Sequence, residues 1–193
     1  MCIRDRQGLR ILSELPLQKS PFVLEIGTGS GAVAIALAKE RRDLFIVATD
    51  ISKGALLLAK ENAASAGVLQ QIEFVNGDLF APFRILRDKG PFHLILSNPP
   101  YISRIEIPDL PKEVRDYEPL FALDGGKDGL KFLKRIISQG PFYLKRGGWL
   151  LLEIGLGQGP AVFKMIEKGN NFLRPECISD LSGIERVVRA QKK

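Results

Sequence analysis

The sequence contains few of the residues that build metal sites and disulfide scaffolds. Its 193 residues include only two cysteines, Cys2 and Cys177, and a single histidine, His93. Two cysteines so far apart have neither metal-ligand spacing nor the density of a disulfide framework. We therefore expect a protein of a reducing compartment, placed in the cytoplasm, that holds no metal.

Long apolar runs and concentrated charge are also missing. No apolar stretch approaches the ~18 residues that cross a bilayer, and the charged start of the chain lacks the apolar core of a signal peptide. The net charge is +6, and 8% of the residues are aromatic. No run of lysine and arginine is longer than two residues. These features argue against membrane insertion and against direct binding of nucleic acid.

What the sequence does contain is an alternation of strand and helix patterns, which predicts an α/β fold. We expect a doubly wound, mostly parallel, seven-stranded sheet with an antiparallel C-terminal hairpin at its edge. The predicted strands are 22–26, 44–49, 72–75, 92–97, 149–154, 173–179 and 184–190. The predicted helices are 4–15, which has no partner in the sequence, 32–40, 52–66, 128–138 and 159–168.

The tetrapeptide Asn98-Pro99-Pro100-Tyr101 is the most informative motif in the chain. It follows an apolar run that is typical of a buried strand, and two consecutive prolines cannot continue a strand because neither has an N–H group to donate. The chain must therefore leave the sheet in a stiff, extended elbow, which fixes Asn98 and Tyr101 at the carboxyl end of the strand. Ligands of open α/β sheets bind at that edge.

The alternation of strands and helices lapses after this elbow, between Tyr101 and Lys127. The segment is rich in prolines and charged residues. A connection of this length inside a compact domain is usually functional, so we interpret it as a substrate-facing loop.

Three other predicted strand ends carry residues that suit a nucleoside. The glycine-rich segment 25–31 lets the backbone approach a ligand at a helix N-terminus. Asp50 can accept hydrogen bonds from both ribose hydroxyls, and Asp78 can accept one from an adenine amino group. The glycine pattern alone also fits the dinucleotide fingerprint of a dehydrogenase.

With the elbow included, the chain resembles the class I S-adenosylmethionine-dependent methyltransferases. Within them it is similar to the HemK/PrmC family, which methylates the side-chain amide of a protein glutamine. The resemblance covers residues 21–190. Beyond the elbow it rests on the segments 113–119 (EVRDYEP), 122–129 (ALDGGKDG), 147–159 (GGWLLLEIGLGQG) and 180–187 (DLSGIERV).

The resemblance implies S-adenosyl-L-methionine as the cofactor and peptide chain release factors as the protein substrate, methylated in their Gly-Gly-Gln motif. It implies that the Asn98 side-chain oxygen and the Pro99 carbonyl accept the two amide N–H groups, while Tyr101 packs against the flat amide. Asn98, Pro99 and Tyr101 are the implied catalytic residues, and Pro100 joins them in substrate binding. The implied cofactor-binding residues are Glu25, Gly27, Thr28, Gly29, Gly31, Asp50, Ile51, Asp78, Leu79 and Asn98.

Two features depart from the family pattern. Family members carry an N-terminal helical domain, whereas this chain begins near the end of the connecting helix. We therefore interpret residues 1–20 as the remnant of that helix and residues 21–193 as the methyltransferase domain. His93 stands where the family usually has an acidic residue, and its place at a strand start favours a structural role over that of a general base.

Other functions stay open at this point. A nucleic-acid (adenine) amino-methyltransferase uses the same elbow, and a ribosomal protein is an alternative protein target. A NAD-type oxidoreductase is supported by the glycine fingerprint alone and leaves the elbow unexplained. A truncated domain that binds the cofactor without activity is the non-enzymatic alternative.

Overall fold

The computed structural model describes residues 3–14 and 20–193, which build a seven-stranded sheet. The strand order is β3-β2-β1-β4-β5-β7-β6, with β1 to β5 mutually parallel and β7 antiparallel to both of its neighbours. The predicted fold class is confirmed, including the C-terminal hairpin at the sheet edge. The strands are β1 (Phe22–Ile26), β2 (Phe45–Asp50), β3 (Ile72–Asn76), β4 (Phe92–Ser97), β5 (Leu144–Glu153), β6 (Glu176–Ser179) and β7 (Glu185–Gln191).

Helices cover both faces of this sheet, as alternating patterns predict. Ser52 caps α3, because its Oγ accepts a hydrogen bond of 3.2 Å from the backbone N–H of Ala55. The helices are α1 (Ile3–Ser13), α2 (Ala32–Glu40), α3 (Lys53–Ser65), α4 (Lys112–Arg115), α5 (Leu120–Leu123), α6 (Lys131–Gln139) and α7 (Gly159–Gly169). None of the helices within residues 3–14 and 20–193 is long and apolar enough to span a membrane.

The central strands β1 and β4 are apolar on both faces because helices pack above and below them. Leu24 and Ile95 are register partners in the core on one side, and Val23 and Leu94 are partners in the core on the other. All four side chains are fully buried. This double core fixes the carboxyl ends of the central strands, which carry the site described below.

The first helix has a packing partner after all. Ile11 and Leu12 of α1 are buried in the core that includes α2 and one face of the sheet. The sequence pattern did not reveal this partner, because the contact joins the helix to segments far along the chain. The predicted boundary between residues 1–20 and 21–193 stays a prediction, and residues 1–2 and 15–19 lie outside the described part.

Two predicted starts and one predicted loop differ in the structure for local reasons. Strand β5 begins at Leu144, before the predicted start at residue 149, because residues between Leu144 and Trp149 form a bulge opposite β4. Helix α6 begins at Lys131, since the Asp128 carboxylate accepts the N–H of Leu130 and forms a turn ahead of it. The segment predicted as an irregular loop after Tyr101 contains α4, α5 and a 3₁₀ turn.

We expect Leu12→Ala to lower the free energy of unfolding by about 2–5 kcal/mol, because it leaves a cavity where a leucine is completely buried. Urea denaturation followed by circular dichroism measures this change. The control is Leu57→Ala on α3, where the side chain is 64% exposed and the loss should stay below about 0.5 kcal/mol. Equally small effects at both positions would show that α1 does not belong to the core.

Candidate functional site

The carboxyl ends of four neighbouring strands, β3, β2, β1 and β4, bring the predicted site residues together. Ile26 at the end of β1 is in register with Thr49 of β2 and with Ser97 of β4. A cavity of about 210 Å³ opens at this edge. Its lining residues are Ile26, Gly27, Gly29, Asp50, Ile51, Gly77, Asp78, Leu79, Ser97, Asn98, Pro99, Pro100, Phe121, Ala122 and Phe132.

Hydrogen bonds to β2 and to the Glu25 carboxylate fix the glycine-rich loop. The backbone N–H groups of Gly27 and Thr28 donate to the carbonyl of Thr49 at 2.8 and 2.9 Å. The buried Glu25 carboxylate accepts from the Thr28 hydroxyl at 2.6 Å and from the N–H of Ala34 at 3.2 Å. Glu25 and Thr28 therefore fix the loop to the start of α2 instead of lining the cavity.

Two glycines of this loop are required by geometry. Gly27 has φ +72°, a backbone conformation that residues with a side chain rarely adopt. Gly31 has φ +81°, and a Cβ on it would lie 3.0 Å from the Cβ of Ala59. Gly31 thus permits α2 and α3 to pack together and does not line the cavity.

The Asp50 carboxylate is held in one orientation at the end of β2. Its Oδ2 accepts from the N–H of Gly29 at 2.9 Å, and its Oδ1 accepts from the N–H of Ser52 at 2.8 Å. The Asn76 side chain supports the same segment by donating to the carbonyls of Asp50 and Ile51. A carboxylate has about four acceptor positions, so Asp50 keeps capacity for ligand hydroxyls.

Asp78 has a partner that sequence reasoning missed. Arg135 of α6 binds its carboxylate through two hydrogen bonds, of 3.1 and 2.7 Å. This fork geometry fixes the plane of the carboxylate while leaving acceptor positions open. The next residue, Leu79, has φ +48°, a conformation that side chains rarely adopt, and it lines the cavity.

The elbow presents Asn98 at the cavity rim. The Ser97 hydroxyl donates to the Ile26 carbonyl at 2.8 Å, which fixes the end of β4 against β1. Asn98 is exposed, whereas Pro99 is buried. Within residues 3–14 and 20–193, the Asn98 side-chain amide has no hydrogen-bond partner, so it can accept and donate to a ligand.

The expected contact between Tyr101 and a substrate amide stays a prediction, and the structure places this side chain beside the cavity. Its side chain lies against Gly155, where a Cβ would come 3.0 Å from the Tyr101 Cδ2, and it does not line the cavity. Phe121 and Phe132 supply the aromatic lining instead. Phe121 directly precedes the family motif 122–129, and this proximity was a usable signal.

Of the thirteen predicted site residues, nine line the cavity and four support it or lie beside it. The nine are Gly27, Gly29, Asp50, Ile51, Asp78, Leu79, Asn98, Pro99 and Pro100. Glu25, Thr28, Gly31 and Tyr101 are the other four. The lining residues that sequence reasoning missed are Ile26, Gly77, Ser97, Phe121, Ala122 and Phe132.

His93 lies at the other end of β4. Its Nδ1 accepts from the N–H of Phe22 at 2.9 Å, and its Nε2 lies 3.0 Å from the Lys145 Nζ. Five residues of strand, about 16 Å, separate it from Asn98. His93 is therefore too distant to act as a base at the cavity, which agrees with the structural role favoured from the sequence.

The segment after the elbow folds back onto it. Ile102 and the Asp124–Gly125 turn exchange backbone hydrogen bonds: the N–H of Ile102 donates to Leu123 at 3.2 Å, and the N–H of Gly125 donates to Ile102 at 2.8 Å. The Asp124 carboxylate accepts from the Arg104 guanidinium at 2.8 and 3.0 Å and from the N–H of Gly126 at 2.8 Å. The lining residues Phe121 and Ala122 are held in place by this fold.

The carboxylates that line the cavity are those of Asp50 and Asp78. Among residues 3–14 and 20–193, no group of three or more histidine, cysteine, aspartate or glutamate side chains could hold a metal ion. This arrangement fits a nucleoside. Asp50 and Asp78 offer carboxylate acceptors, and the glycine-rich loop offers a backbone that no side chain covers.

A family model for the methyltransferase small domain matches residues 5–110, more than half of the chain. The chain belongs to this family. The matched region contains the glycine-rich loop, both aspartates and the elbow. The α6–α7 region, with Arg135, lies beyond it.

Two relatives from different bacteria extend the match. A release factor glutamine methyltransferase from Geobacter sulfurreducens is 41% identical over 186 residues, which are 95% of this chain and 63% of that protein. A protein of the same name from Bacillus subtilis is 42% identical over 168 residues, 87% of this chain and 57% of that protein. These relatives confirm the resemblance indicated by the motifs. The chain spans about three-fifths of their length.

Solved structures support the fold. A methyltransferase from Pyrococcus furiosus aligns with a TM-score of 0.66 at 17% identity, covering 97% of this chain and 82% of that one. The ribosomal protein L11 methylase from Lactobacillus delbrueckii subsp. bulgaricus aligns with a TM-score of 0.66 at 23% identity, covering 98% and 77%. At these identities the likeness concerns the fold alone.

Stability should depend on pH through Asp124. The Arg104 guanidinium, followed by the Gly126 N–H, holds the pKa of Asp124 below its ordinary value. A lowered pKa stabilises the fold above the unfolded-state value of about 3.9, and this contribution disappears as pH falls through the folded-state pKa. The difference in unfolding free energy between the wild type and Asp124→Asn should therefore shrink as pH falls from 6 to 3.

Urea denaturation at a series of pH values measures this difference. Arg104→Gln is the complementary variant, since it removes the first cause of the shift and should reduce the same pH dependence. A difference that stays constant across the whole pH range would contradict the assignment.

Proposed function

We propose that this chain is the methyl-transferring part of an enzyme that methylates the side-chain amide nitrogen of a protein glutamine. The proposed cofactor is S-adenosyl-L-methionine, and the proposed acceptor is the glutamine of the Gly-Gly-Gln motif in peptide chain release factors. The observation that carries the proposal is the elbow, where the exposed Asn98 amide and the Pro99 backbone share one cavity with Asp50 and Asp78. The names of the relatives support the acceptor.

The glycine-rich loop and the two strand-end carboxylates would bind the cofactor in one half of the cavity. Asp50 would accept the ribose hydroxyls, Asp78 would accept the adenine amino group, and Gly27 and Gly29 would leave room for the ligand. When bound there, S-adenosylmethionine supplies an electrophilic sulfonium methyl group. Glu25 and Thr28 would act through the loop, which they tie to α2.

The acceptor half would be held by the elbow. An amide nitrogen is a weak nucleophile because its lone pair is delocalised, so the main task of the site is alignment. The Asn98 Oδ1 and the Pro99 carbonyl would accept the two N–H groups of the glutamine amide and stabilise the positive charge that grows on its nitrogen. Phe121, which lines the cavity, would cover the flat amide.

No strong base is required before transfer, because the nitrogen becomes acidic once it carries the additional methyl group. The titratable side chains that line the cavity in the described part of the chain are Asp50 and Asp78. Both are engaged by protein donors. The proton would therefore leave to water at the open rim beside Asn98.

The acceptor is tested by incubating the chain with methyl-labelled S-adenosylmethionine and a class I release factor, ribosomes or DNA in parallel. We expect label in the release factor, placed on the Gly-Gly-Gln glutamine by mass spectrometry. A release factor with that glutamine changed to alanine is the control and should stay unlabelled. Label in DNA alone would overturn the proposal in favour of an adenine amino-methyltransferase.

The roles within the site are tested by Asn98→Ala. The variant loses an acceptor for the substrate amide, so kcat should fall by a factor on the order of 10² or more. The dissociation constant for S-adenosylmethionine, measured by calorimetry, should stay within about twofold of the wild type. Near-normal turnover would remove Asn98 from the mechanism.

Asp50→Ala is the matched variant on the cofactor side. It removes a carboxylate that would bind two ribose hydroxyls, so the dissociation constant for S-adenosylmethionine should rise by about 10- to 100-fold. An unchanged dissociation constant in calorimetry would refute the ribose assignment.

A further inference from the structure

One side chain outside the cavity, that of Gln158, connects the elbow to two other segments. Its Nε2 donates to the carbonyl of Tyr101 at 2.9 Å and, more weakly, to the carbonyl of Gly129 at 3.4 Å. Its Oε1 accepts from the N–H of Gly155 at 2.9 Å. Gln158 lies just before α7 and does not line the cavity.

Glycines make this arrangement possible by letting backbones approach the elbow closely. A Cβ on Gly129 would lie 2.4 Å from the Tyr101 carbonyl oxygen and 2.7 Å from the Gln158 Nε2. A Cβ on Gly125 would lie 2.9 Å from the Pro100 carbonyl oxygen. The family segments 122–129 and 147–159 therefore meet behind the elbow. Neither segment's sequence alone indicates that it supports the elbow.

The chemistry of this position requires an amide side chain. The two carbonyls need a donor and the Gly155 N–H needs an acceptor, and a glutamine supplies both from one planar group. A glutamate of the same shape can still accept from Gly155, but its carboxylate has no N–H groups and repels the two carbonyl oxygens.

We propose that Gln158 is a positioning residue for methyl transfer, which sets the Pro99 carbonyl and the Asn98 side chain by holding the Tyr101 carbonyl, at the end of the elbow, from behind. This inference rests on the function proposed above. Pro99 and Pro100 have no N–H groups, so the elbow lacks the backbone hydrogen bonds that would otherwise fix it to the sheet. A displacement of about 1 Å at the reacting groups can cost a factor on the order of 10² in rate.

The test compares Gln158→Glu with Gln71→Glu. Gln71 is the matched control, because its Nε2 also donates to two backbone carbonyls, those of Ala38 and Arg41 at 3.3 and 3.2 Å. It lies at the amino end of β3, whereas the cavity lies at the carboxyl ends of the strands. Both variants lose the same kind of hydrogen bonds, so they separate a positional effect from a general loss of stability.

We expect Gln158→Glu to lower kcat by about 10- to 100-fold, with the KM for the release factor and the dissociation constant for S-adenosylmethionine within about twofold of the wild type. Gln71→Glu should leave kcat unchanged. Unchanged kcat in Gln158→Glu, or equal losses of kcat in both variants, would overturn the proposal. If Gln158→Glu does not fold, Gln158→Ala is judged by the same criteria; it removes the hydrogen bonds to Tyr101 and Gly129, together with the one from Gly155, without adding charge.

Hydrogen exchange provides a readout that does not depend on activity. Gln158→Glu should speed exchange at the N–H groups of Ile102 and Gly125, which join the elbow to the turn behind it, and Gln71→Glu should not. If the wild-type chain transfers no methyl group to any acceptor, the proposed function fails, and these exchange rates alone decide whether Gln158 holds the elbow. Unchanged exchange in Gln158→Glu would show that it does not.

Discussion

The double proline at residues 99 and 100 is the constraint on which the site depends. It ends β4 abruptly and places Asn98 and the Pro99 carbonyl at the rim of the cavity. Neither proline can donate a backbone hydrogen bond, so the elbow lacks the donors that would join it to a neighbouring strand. The rest of the chain has to supply that support, and the segments after the elbow do so.

The two halves of the proposed site are consequently built in different ways. The proposed cofactor half stands on strand ends inside a double hydrophobic core, with Asp50 fixed by the N–H groups of Gly29 and Ser52. The proposed acceptor half consists of the elbow, the Asp124–Gly125 turn and Gln158, which are joined by backbone hydrogen bonds and by the Gln158 side chain. This division explains why the family motifs continue far beyond the residues that face a ligand.

Local chemistry could be predicted from the sequence, and distant pairing could not. The strand ends, the Ser52 cap and the elbow follow from apolar patterns and from the properties of proline and serine, which act within a few residues. Two important pairs join residues that are 57 positions apart: Arg135 with Asp78, and Gln158 with Tyr101. An arginine or a glutamine in a sequence does not show which distant residue it contacts. The resemblance implied that Tyr101 packs against the substrate amide, which stays a prediction; in the structure its ring lies against Gly155, and Phe121 lies at the cavity wall.

A crystal structure of the chain with S-adenosylhomocysteine and a Gly-Gly-Gln peptide tests the central claim most directly. The glutamine amide nitrogen should lie at hydrogen-bond distance, about 2.7–3.2 Å, from both the Asn98 Oδ1 and the Pro99 carbonyl oxygen. The ribose hydroxyls should contact the Asp50 carboxylate on the other side of the cavity. A peptide whose glutamine binds away from the elbow, or a nucleoside bound away from Asp50, would contradict the proposed mechanism.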